Sequence, residues 1–135
     1  MGLAQRRAVM TFRNERFPDW KQRIDQAAHF EVPVEVAWDR LAETDMPDSL
    51  AEFLPKVYFE PLVGALAGIT IDDLGITALR EGLASIVITN TGGYSSPSGF
   101  SFEDGVLTID HRPDANVDDV DERRKALQRM LEDKL

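Results

Sequence analysis

The sequence predicts an α+β fold in two layers, a mainly antiparallel sheet of about four strands with helices packed on one face, in the order α-β-α-α-β-β-β-α. Three observations carry that expectation. From Phe30 to Asp39 every even position is large and apolar while the odd ones are Glu, Pro, Glu, Ala and Asp, the period of a strand with one wet face. Asp104-Gly105 joins two alternating runs as the preferred two-residue hairpin turn. Apolar residues recurring at helical spacing, bounded by start and stop signals, fill most of the remainder. At 135 residues, the chain is expected to form one domain over 1–135.

Residues 1–14 carry a weak alternation at Ala8, Met10 and Phe12, read as a short edge strand or a frayed segment. A helix is expected from about 17 to 28, with Pro18 in its first turn, Phe17, Trp20, Ile24, Ala27 and Ala28 on one stripe, and His29 as a C-terminal cap rather than a ligand. The strand over 30–39 would bury Phe30, Val32, Val34, Val36 and Trp38. Ser49 and Glu52 have capping-box spacing ahead of a stripe running from Leu50 to Ile69, which Pro55 and Pro61 should split or kink. Thr70 to Asp73 caps a further helix through Leu74, Ala78 and Leu79 that stops near Gly82. The β-branched run from Ala84 to Asn90 suits a more central strand. In the hairpin, Phe102 should face Leu107 and Phe100 face Ile109, with Ser101 opposite Thr108 and Glu103 opposite Val106. Acids from Asn116 to Asp119 open a last helix whose buried stripe is Val117, Val120, Leu127, Met130, Leu131 and Leu135.

Charge is distributed unevenly. The net charge is −9, but residues 1–30 hold six basic side chains against three acids, residues 31–122 hold four against nineteen, and the last thirteen residues are basic again. An acidic centre argues against nucleic acid or an anionic membrane, which need clustered Lys and Arg, and no run approaches the ~18 apolar residues of a membrane span. There is no cysteine, which excludes thiol catalysis and thiolate metal sites and fits a cytoplasmic location.

Catalytic signals are weak. Asp114, Asn116 and Asp118 are spaced like calcium-loop ligands, but Asp119 stands where a Gly is required and Lys125 where the bidentate Glu should be. Asp110, His111 and Asp114 remain as candidate hard-metal ligands, against the simpler reading of strand-end and turn residues. No Ser lies in a nucleophile elbow, and the loop from Asn90 to Gly99 matches neither a P-loop nor a dinucleotide fingerprint; Tyr94 would be its contact residue. No cofactor is expected.

If the first strand and the hairpin share a sheet, its outer face displays Glu31, Glu35, Ser101, Glu103, Thr108 and Asp110, an acidic plate suited to a basic protein partner. The expected function is therefore a small acidic protein-binding module of the inhibitor, immunity or adaptor type, with Glu31, Glu35, Glu103, Asp110 and Tyr94 as candidate contacts. Two other functions fit the same sequence. One is a metal-dependent or small-molecule-binding enzyme using Asp110, His111, Asp114 and the 91–99 loop. The other is a self-associating protein whose basic ends meet the acidic centre of a second copy.

Overall fold

The period-two run around Val34 forms the edge of a four-stranded sheet in the computed structural model, which describes residues 2–135. The fold is α+β. In chain order the elements are α1 (Leu3–Glu15), α2 (Phe17–Ala28), β1 (Val34–Val36), α3 (Trp38–Leu41), α4 (Leu50–Leu54), α5 (Glu60–Ile69), α6 (Asp73–Gly82), β2 (Ser85–Thr89), β3 (Phe100–Glu103), β4 (Val106–Asp110) and α7 (Val120–Lys134). A π turn over Pro55–Phe59 joins α4 to α5, and short 3-10 turns lie at Pro47–Ser49 and Pro97–Gly99.

Strand order is β1-β2-β4-β3, with β1, β2 and β4 parallel and only β3 antiparallel. This corrects the mainly antiparallel sheet expected from a meander. The hairpin has the expected register, Phe102 opposite Leu107 and Phe100 opposite Ile109, but its second strand rather than its first lies beside β2. The physical cause is the 90–99 connection. It leaves the end of β2, crosses over the end of β4 and enters β3 at the far edge, a span of two strand spacings or roughly 10 Å. The central strands are thus β2 and β4, whose buried Ile86, Ile88, Leu107 and Ile109 meet Phe100 and Phe102 on one face.

β1 is shorter than the run that predicts it. Pro33 has no N–H to give a ladder and Trp38 already opens α3, so pairing spans only 34–36, extended by hydrogen bonds from Ile86 N to the Pro33 carbonyl and from Ala37 N to the Ile88 carbonyl. The alternation itself holds outside the ladder, because Val32 is fully buried while Glu31, Pro33, Glu35 and Asp39 are exposed.

Residues 3–15 form a helix rather than an edge strand. Val9 and Phe12, three apart, are buried and dock α1 on the protein, whereas Met10 faces water. Phe12 stacks 5.7 Å from Phe59, which also meets Phe17 at 5.6 Å and Trp20 at 5.9 Å, so the π turn anchors α1 and α2 together. The π turn buries Val57, Tyr58 and Phe59 in succession. The Ser49 capping box is absent, Ser49 being the last residue of a 3-10 turn with its side chain uncommitted to the helix. His29 does cap α2, in the left-handed conformation at φ 68°, its N–H donating to the Asp25 carbonyl.

Candidate functional site

Two regions collect the chemistry of this chain, and they lie at different ends of the sheet. The first is at the C-terminal ends of β2 and β4, where parallel strands commonly present ligand sites. Here Asp110 accepts hydrogen bonds from Thr91 N at 2.9 Å, Thr91 Oγ1 at 2.8 Å and Gly92 N, so its carboxylate pins the crossing loop. His111 is fully buried, its Nδ1 2.7 Å from the Arg112 carbonyl, and its own carbonyl accepts from the Tyr58 hydroxyl. Burial pushes the His111 pKa below its ordinary value, and the Arg123 charge adds to that; burial, with Asp110 and Asp114, holds the Tyr58 phenol well above its own. Asp114 accepts from Thr44 Oγ1 at 2.8 Å and pairs with Arg112 at 3.2 Å.

The three candidate metal ligands are thus neighbours in the fold, but both carboxylates are already engaged by the protein. Among the described residues no group of three or more His, Asp or Glu side chains could hold an ion. Tyr94 is 40 % exposed, its carbonyl accepts from Arg112 N, and its ring lies against Gly92 and Gly99 of the same loop. Two buried polar atoms here are left without a partner, His111 Nε2 and Asn90 Oδ1. Asn90 donates Nδ2 to the Arg40 carbonyl, while its buried Oδ1 has no partner; the residue borders a cavity of about 250 Å³ with Glu43, Thr91, Gly93 and Arg112.

The second region was not expected. α6 runs through Leu74, Ala78 and Leu79 and ends at Gly82 as expected, yet Leu79 alone of the three is buried and Leu74 is 80 % exposed. The buried contacts of this helix and its exit are Leu79 and Leu83, four apart on one face, while Leu74 is turned outward. Ile71, in the link before α6, is also 80 % exposed. Local bonds fix that link: Thr70 Oγ1 donates to the carbonyls of Ala27 and Leu66, and Asp72 caps α6 by accepting from Gly75 N at 2.8 Å. A side chain at Gly75 would collide with the Ile69 carbonyl, so glycine permits α6 to start tight against α5.

Around Leu74, Ala78 and Leu135 run two adjoining cavities. One, of about 620 Å³, is bounded by α6, the 104–105 turn and the end of α7; the other, of about 350 Å³, is bounded by Ile69, Ile71 and Gly75. Together they form a groove whose apolar part is Ile69, Ile71, Leu74 and Leu135, rimmed by Asp72, Glu81, Glu103, Asp104 and Glu132. The one cation in that lining, Lys134, is committed to the Glu103 carboxylate at 2.9 Å and the Phe102 carbonyl at 2.7 Å. A helix with two consecutive outward apolar anchors at its start, 71 and 74, is the signal that could have found this groove.

The residues of the expected plate are separated by the sheet order. Glu35 lies on the edge strand β1 in the row of Val87, Thr108 and Ser101, and Glu103 lies two residues past Ser101 on the opposite edge strand β3, while Glu31 precedes the strand and Asp110 is engaged by the loop. Glu103 is the one plate residue that reaches the groove. No protein-family model, curated protein or solved structure matches the chain.

Proposed function

We propose that this protein is a small acidic binding module that docks a basic, apolar-anchored segment of another protein in the groove between α6, the hairpin turn and the end of α7. The observation that carries the reading is the exposure of Ile71 and Leu74, 80 % each, inside a ring of carboxylates. Large apolar side chains kept in water beside cavities mark contact surfaces, and the surrounding acids select a basic partner and speed its approach. A metal-dependent reaction at 110–114 is less well supported, because Asp110 already holds the loop at Thr91 and Gly92 and Asp114 is engaged by Thr44 and Arg112.

The test compares baits. Tagged protein captures its partner from native lysate at low salt, and the affinity of the identified partner is then measured for Leu74→Asp, for Glu81→Lys with Glu132→Lys, and for Glu35→Lys on the open sheet face. Both groove variants should weaken binding at least about tenfold, the size expected for an interface anchor, with Glu35→Lys near wild type. Loss with Glu35→Lys and retention with Leu74→Asp would move the site to the sheet face.

A further inference from the structure

We infer that in the free protein this groove receives helix α1 of a second copy, so that the molecule self-associates head to tail and a foreign partner must compete with its own neighbour. The inference rests on the reading of the groove as a docking site and names its resident occupant.

The complementary surface is on the same chain. α1 buries Val9 and Phe12 against the protein, and its outward side shows Leu3, 54 % exposed, and Met10, 44 % exposed. Seven residues apart on a helix, these two knobs stand on one face about 10 Å from each other. Exposed Arg6, Arg7 and Arg13 accompany them, and among the described residues none of the three joins an ion pair. A basic face with two apolar knobs is the counterpart of an acidic groove with two cavities flanking Leu74.

Electrostatics also selects the arrangement. Groove against groove would oppose carboxylates, and α1 against α1 would oppose arginines, so a symmetric contact through either surface is repelled. Only α1 to groove joins opposite charges. The two surfaces belong to different elements, since α1 packs on α2, α3 and α4 while the groove lies among α5, α6, the hairpin and α7. Such a contact is heterologous and propagates until it closes into a ring or is capped. Two apolar knobs and a charged rim make it weak and strongly salt-dependent.

Sedimentation velocity across a wide concentration range, at about 0.05 M and about 0.5 M salt, tests this directly. Wild-type protein should associate with rising concentration at low salt and return to monomer at high salt. Leu74→Asp should be monomeric, and so should the triple variant Arg6→Glu, Arg7→Glu, Met10→Asp. Mixed, the two should form a one-to-one dimer that grows no further, because one copy keeps an intact α1 and the other an intact groove; that rescue also shows that both variants fold. A wild type that stays monomeric at low salt would overturn the inference, as would association that survives either variant. Loss of a foreign partner on Leu74→Asp from a wild type that is monomeric throughout would leave the groove standing as a docking site and remove α1 as its occupant.

Discussion

Arg123 is 1 % exposed and has no carboxylate bonded to it; its guanidinium donates instead to the carbonyls of Asn116 at 2.7 Å, Val117 at 2.7 Å and Lys56 at 3.2 Å. The Lys56 carbonyl is free for a reason written in the sequence. In the π turn the Glu60 N–H bonds the Pro55 carbonyl five residues back, and the donor that would reach Lys56 in the same pattern is residue 61, a proline. Arg123 supplies the missing hydrogen bond and ties the approach to α7 to the π turn. Burial lowers its pKa, and the charges of Asp119 and Glu122 oppose that. Arg123→Met keeps the bulk and strips the donors from three carbonyls, so it should cost about 3 kcal/mol or more, read as a lower denaturation midpoint at unchanged slope. A loss below about 1 kcal/mol would show that water replaces the guanidinium. In the sequence this arginine sits in a basic run and reads as surface charge on the last helix. The legible clue was its spacing, three after Val120 and four before Leu127, on the stripe that the helix buries.

At the scale of elements, local chemistry was readable wherever it was self-sufficient. The hairpin turn has Asp104 at φ 51° and Gly105 at φ 80°, the left-handed pair that Asp-Gly favours, and its register follows. Gly105 also accepts from Ala84 N at 2.7 Å, and a Cβ there would lie 3.2 Å from the Gly82 carbonyl, so the turn is locked to the end of α6 and forms one wall of the groove. Gly105→Ala should destabilise by about 1–2 kcal/mol, measured by thermal or denaturant unfolding, because it forces an L residue into the left-handed region against backbone. Elements were misread where a neighbour decides the outcome. α1 is a helix because Val9 and Phe12 are buried, Phe12 stacking on Phe59 and its ring partners.

Across the whole molecule, the latch at the sheet end links stability to pH. His111 has a folded pKa below its ordinary value near 6.5 because it is buried, with Arg123 nearby adding repulsion and the hydrogen bond to the Arg112 carbonyl, then the Asp110 charge, opposing it. A lowered folded value means that the unfolded chain binds the proton more readily, so this contribution is complete above about pH 6.5 and is lost as pH falls through the folded pKa. Unfolding free energy measured from pH 8 to pH 5 should therefore decline on the acid side, with this one group contributing at most about 1.4 kcal/mol per pH unit, and His111→Gln should flatten that part of the profile. A His111→Gln profile parallel to wild type would place the titration elsewhere.

The sequence by itself determined what depends on near neighbours along the chain. The α2 stripe, the hairpin register, the alternation around Val34, the proline-disturbed helix after Leu50 and the acidic centre all follow from side-chain period, turn chemistry and charge within a few residues. Only the tertiary structure decided the strand order, which side of α6 meets water, the burial of Arg123 and the separation of Glu35 from Glu103. Each depends on which distant surface arrives. The 90–99 loop carries the hairpin past β4's position, Thr70 and Gly75 set the start of α6 against α2 and α5, and a carbonyl freed by Pro61 waits for an arginine 67 residues from Lys56. Period and propensity act over a turn or a strand, whereas packing is settled by shape and unmet hydrogen bonds across the fold.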